Sequence, residues 1–133
     1  MIAEQKEHTM LLIRESLDRV CVSVPDVQLI TLASIDGFSI VSMGNKNNEQ
    51  GLPGKFAAIA SSMGSLGVAA GKEFGATELN ISIFDFSTLH LVLRLVKGKS
   101  NHFVLAIAAE KKTALGKLLW VARECTDELE DIL

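Results

Sequence analysis

The chain has 133 residues, 48% of them hydrophobic and 22% charged, with a formal net charge of −3. That length suits one domain spanning residues 1–133 with a real core and is short for two; the composition excludes a disordered chain. No stretch concentrates positive charge as a nucleic-acid surface requires, so nucleic acid is not an expected partner.

Residues 3–22 predict a first helix. Met10, Ile13, Leu17, Val20, Cys21 and Val24 keep a helical period, with Glu4, Glu7, Arg14, Glu15 and Asp18 on the wet side. Pro25 closes it, because the residue before a proline is pushed out of helical geometry. Residues 29–35, LITLASI, and 38–43 predict two strands joined by a two-residue turn at Asp36-Gly37. Residues 44–51, GNKNNEQG, form a polar loop.

A central helix follows over 53–74, opened by Pro53 and stopped by Gly75. Phe56, Ile59, Met63, Leu66 and Ala70 share one face, which is expected to cover the sheet. Ala60, Gly64, Gly67, Val68 and Gly71 form a second, small-residue face. Each interior glycine costs ~1 kcal/mol against alanine, so packing must compensate. No charge lies between Lys55 and Lys72, so the helix is expected to be covered on both sides, its small face meeting a second copy. A helix buried within one monomer is the alternative. The uncharged run, interrupted by Ser61, Ser62 and Ser65, falls short of the ~20 residues that a membrane span needs.

Three strands come next: 79–84, with Leu79, Ile81 and Ile83 on one side, then 89–96 and 103–108. Both sides of 89–96 are largely apolar, which calls for layers on both sheet faces. Thr113 is a candidate N-cap for a last helix over 114–131, with Leu115, Leu118, Leu119, Ala122, Cys125 and Leu129 inward. Hairpin-length connections make the five-stranded sheet mainly antiparallel, in the order α-β-β-α-β-β-β-α: an α+β sandwich.

Chemistry of its own is hard to find. Gly51-Leu-Pro-Gly-Lys55 lacks the first glycine of a phosphate loop, since position 49 is Glu49, and Phe56 follows the lysine in place of Ser or Thr. His8, His90 and His102 have no metal-ligand spacing, although His90 and His102 could meet across a hairpin. Cys21 and Cys125 read as inert helix filling and form no C-x-x-C pair. The charged start, MIAEQKEHTM, is unlike a signal peptide. These features point to a reduced, cytoplasmic setting with no cofactor, no metal and no catalytic residue.

The residues also carry a resemblance. Ser34-Ile35-Asp36-Gly37-Phe38 at the first hairpin and Ala57, Ala58, Ala60 and Gly64 in the central helix are part of it. Ala106-Ile107-Ala108-Ala109-Glu110 and Thr113-Ala114-Leu115-Gly116-Lys117-Leu118 complete it. Together, in this order, they resemble the roadblock, or dynein light chain, family, especially its short bacterial motility regulators. The resemblance implies a profilin-like sandwich with two helices on one face and one on the other. It implies a homodimer in which third strands pair edge to edge and central helices lie side by side. Ala60, Gly64, Gly67, Val68, Gly71, Leu79, Ile81 and Ile83 would line that interface. It also implies a small Ras-like GTPase as partner, its own catalytic loops rearranged without an inserted arginine. Lys55, Ser61, Ser65, Lys72 and Glu73 are the polar candidates to face it. Two alternatives stand: a scaffold subunit that leaves GTP hydrolysis unchanged, and a sensor with a small-molecule pocket under the sheet.

Overall fold

Hydrophobic period and the placement of Pro and Gly set the elements. The computed structural model describes residues 2–133. It has α1 (Ile2–Ser23), β1 (Val27–Ser34), β2 (Ser39–Met43), α2 (Leu52–Lys72), β3 (Ser82–Asp85), β4 (Leu89–Lys97), β5 (His102–Glu110) and α3 (Leu115–Ile132). The order is the expected one. The strands form one five-stranded sheet, β2-β1-β5-β4-β3, in which every neighbouring pair is antiparallel.

Alternation along the strands sends side chains to both faces. Ile30, Leu32, Val92, Leu105 and Ile107 meet Ile13, Leu17 and Val20 of α1 and Leu118, Ala122, Cys125 and Leu129 of α3. On the other face Leu91, Leu93, Val104 and Ala106 meet Ala60 of α2. The result is a three-layer sandwich. Leu17, Ile30, Leu32, Ile107 and Leu129 are fully buried, each contributing about 1.5–3 kcal/mol by leaving water.

Three local expectations are corrected. At the first hairpin, Ser34 N–H donates to Phe38 O at 2.9 Å and Gly37 N–H to Ser34 O at 3.0 Å. These bonds close a three-residue loop, 35–37, rather than a two-residue turn. Ile35 thereby leaves the strand, and Gly37 takes φ +94°, a region open to glycine. The third strand is shorter than 79–84. Leu79 lies outside it and packs against α2 at Gly67, whereas Ile81 packs on the α1/α3 side. The gap that Gly67 leaves draws Leu79 off the line it would keep in a strand. Thr113 does not cap α3, whose N-cap is Ala114 without a side-chain bond. The Thr113 hydroxyl donates instead to Asp26 Oδ2 at 2.9 Å, and a charged acceptor makes the stronger bond.

The loop before α2 is pinned by Gly44, at φ +126°, where an added Cβ would lie 2.7 Å from the Gln28 carbonyl oxygen. Gly44→Ala should lower stability by about 1–3 kcal/mol through strain and clash. Gly116, near the start of α3, has nothing within 4 Å of such an atom. Gly116→Ala should raise stability by up to ~1 kcal/mol. Urea unfolding of the two variants checks the contrast, and shifts of the same sign would refute it.

Candidate interaction surface

The small face of α2 is the one that rests on the sheet. Ala57 and Ala60 are completely buried, and Ser61 and Gly64 are buried with them. A Cβ added at Gly64 would sit 3.8 Å from Leu95 and 3.9 Å from Val104. Gly67 abuts Leu79, and Gly71 abuts Ala76. Ile59, 52% exposed, and Leu66, 71% exposed, point away from the sheet. The expected roles of the two stripes are therefore reversed at these positions, with Phe56 and Met63 half-buried at the margin. The reason is volume: Leu91, Leu93 and Leu95 already fill the space above the sheet, and only small residues let a helix close down on them.

Among the residues expected to join two copies, Ala60 and Gly64 thus contact their own sheet. Gly67, Val68, Gly71, Leu79 and Ile81 are half-buried, and Ile83 is exposed. Strand β3 pairs with β4 alone, so its other edge presents unpaired backbone groups, with Ile83 and Phe86 exposed nearby. The outward face of α2 between Lys55 and Lys72 is uncharged, and this free edge is unpaired.

Of the polar candidates, Lys55, Ser65, Lys72 and Glu73 are exposed. Ser61 is not; its hydroxyl donates to the Ile35 carbonyl and ties α2 to the first hairpin. A groove of about 370 Å³ along α2 brings Ser65 and Lys72 together with Ile35, Leu95 and His102. Lys55 lies at the opposite end of the helix, about 25 Å away by helical rise. Sequence reasoning missed the Ser61 tie and the outward direction of Ile59 and Leu66, which spacing alone does not reveal.

The titratable groups are dispersed. His90 lies beside Ala109 and His102 beside Lys97, at opposite ends of the β4–β5 ladder, so the two histidines do not meet. His90 Nε2 lies 3.2 Å from Asp85 Oδ1, and Lys111 Nζ lies 2.6 Å from the same oxygen. The hydrogen bond from Lys111, and then His90, hold the Asp85 carboxyl below its usual range. Among the described residues no cluster of three or more His, Cys, Asp or Glu could hold a metal ion. A cleft of about 740 Å³ opens at the start of α2 over Leu29, Phe56 and Leu89. Among the described residues no helix is long and apolar enough to cross a membrane.

Burial pushes the Cys125 thiol up to about 11, and burial also raises that of Cys21. The folded state therefore disfavours the Cys125 thiolate. Above the ordinary thiol range, near 8.5, the unfolded chain loses a proton that the native chain keeps, so stability falls as pH rises toward 11. Cys125→Ser or Cys125→Ala should flatten that fall; a wild-type stability curve flat between about pH 8 and about pH 11 would contradict the burial.

The architecture defines a class: the sandwich has the roadblock/LC7 fold. A Roadblock/LC7 domain from Streptomyces avermitilis superposes with a TM-score of 0.73 at 21% identity, covering 86% of this chain and 91% of that one. Myxococcus xanthus MglB matches with a TM-score of 0.79 at 21% identity over 90% of this chain and 93% of its own. An MglB with a tetrameric arrangement matches with a TM-score of 0.81 at 15% identity over 93% and 89%. No family model matches the sequence, and no curated protein matches it by sequence. The likeness is one of fold.

Proposed function

We propose that this chain is a homodimeric, MglB-like regulator that docks a small Ras-like GTPase and accelerates its GTP hydrolysis by reshaping the GTPase's own loops. The observation that carries this reading is the uncharged outward face of α2, with Ile59 and Leu66 in water, beside an unpaired β3 edge. Exposed apolar side chains on an otherwise wet surface mark an interaction site. Two copies joined through β3 would place their α2 helices together. Ile59, Leu66, Val68 and Ile83 would then be the apolar contact, with Gly67 and Gly71 at its margin. Lys55, Ser65, Lys72 and Glu73 would remain to meet the GTPase. The fold shared with MglB structures, one of them described as tetrameric, supports self-association. The chain would act as a non-enzymatic partner in the cytoplasm, the chemistry staying with the GTPase.

Leu66→Glu should convert the dimer to a monomer in sedimentation while changing the melting temperature little, because Leu66 makes few contacts within its own chain. A variant that sediments as wild type would refute the geometry. Saturating wild-type protein should speed single-turnover GTP hydrolysis by a partner GTPase at least tenfold, and the variant should not. Binding with unchanged hydrolysis would assign a scaffold role instead.

A further inference from the structure

Backbone bonds fix the walls of the cleft at the start of α2. Lys46 N–H donates to the Gln28 carbonyl at 2.8 Å and pins the loop before α2 to the start of β1. Lys111 N–H donates to the Thr88 carbonyl at 3.2 Å and pins the chain after β5 to the start of β4. The volume between them, about 740 Å³, is that of a small-molecule site. Walls held in place beforehand lower the cost of binding. Leu52, Phe56, Leu89 and Ala108 line the cleft, and each is only half-buried, so each keeps apolar surface that a ligand can cover.

The polar groups of the lining are answered unequally. Lys111 Nζ lies 2.6 Å from Asp85, and Lys112 Nζ lies 3.8 Å from Glu110. Lys46 and Glu49, both exposed, have no ion-pair partner among the described residues. Glu49 N–H donates to the Lys46 carbonyl at 3.1 Å. That bond closes a turn, which keeps the two Cα atoms within about 7 Å of each other. Gln28 Nε2 donates to Glu110 Oε1 at 2.6 Å, while Gln28 Oε1 is buried and accepts no bond. A carboxylate only accepts, so the amide cannot be turned the other way. An acceptor left so is costly, and a donor brought by a ligand relieves it.

One unanswered cation, one unanswered carboxylate, one orphan acceptor and an apolar floor describe a zwitterion with an N–H and apolar side chains. Two extended residues span about 7 Å, the separation that the turn sets between the two charges. We infer that this cleft binds an apolar dipeptide, its carboxylate at Lys46, its ammonium at Glu49, an N–H on Gln28 Oε1 and its side chains over Phe56, Leu89 and Ala108. The cleft lies at the other end of α2 from the Ser65–Lys72 groove, and binding to the chain alone is independent of any GTPase.

Titration calorimetry of the full chain with Leu-Leu tests this. Leu-Leu should bind saturably, and N-acetyl-Leu-Leu and Leu-Leu amide, each lacking one charge, should bind at least tenfold more weakly. Gly-Gly, which has both charges and no apolar side chain, should give no saturable heat. Lys46→Glu should weaken Leu-Leu at least tenfold, whereas Lys99→Glu, in the β4–β5 turn at the far end of the ladder, should change it less than threefold. Ala108→Phe, with the fold intact by circular dichroism, should abolish binding by filling the floor. No saturable heat with millimolar Leu-Leu, or equal losses from Lys46→Glu and Lys99→Glu, would overturn the inference. Leucine alone binding as tightly would overturn the two-residue span. A longer peptide binding at least tenfold more tightly would overturn it too, by assigning the cleft to a protein segment.

Discussion

The closeness of α2 to the sheet governs the rest of the molecule. Strand β4 raises Leu91, Leu93 and Leu95 toward the helix, and Ala57, Ala60 and Gly64 are small enough to settle on them. Larger residues there would lift the helix and open a void beneath it, which a packed interior does not tolerate. Because the small residues are used inward, the larger Ile59 and Leu66 are left outside. The apolar outer face of α2 is thus a by-product of how the core was filled.

Periodicity made most of the architecture legible. The inward stripes of α1 and α3, the polar loop before α2 and the stop at Gly75 all follow from spacing and from Gly and Pro chemistry. What periodicity does not contain is an absolute direction: it says which residues share a face of α2 and leaves open which face meets the sheet. Larger apolar residues are the usual choice for a core, so the stripes were expected the other way round. The leucine-filled sheet face inverted that choice, and only the joint volume of helix and strands could have revealed it. Ile35 and Leu79 were read as strand ends for a similar reason, since each is apolar and next to a strand, yet a turn and a glycine gap claim them. The Ser61 hydroxyl bond to Ile35 joins residues distant in sequence, and no local pattern encodes it.

The two outer layers differ in electrostatic character. Along α2 the run between Lys55 and Lys72 carries no charge, while α3 ends in carboxylates, of which Glu128 and Glu130 have neighbours that answer them. A neutral surface selects partners by shape and area, whereas an acidic one attracts them at longer range and is weakened by salt. A sheet between the layers keeps the two surfaces apart.

Gly64, Gly67 and Gly71 have a further consequence for motion. They lower the intrinsic helicity of α2, and its N-terminus, at Gly51, has no side-chain cap. The helix is held in shape by the sheet beneath it rather than by its own sequence. The cluster under α2 is also smaller than the one under α1 and α3. Peeling α2 from its seat is therefore a partial opening that leaves the larger core intact. Anything that clamps α2 from outside would therefore suppress that opening without touching the larger core.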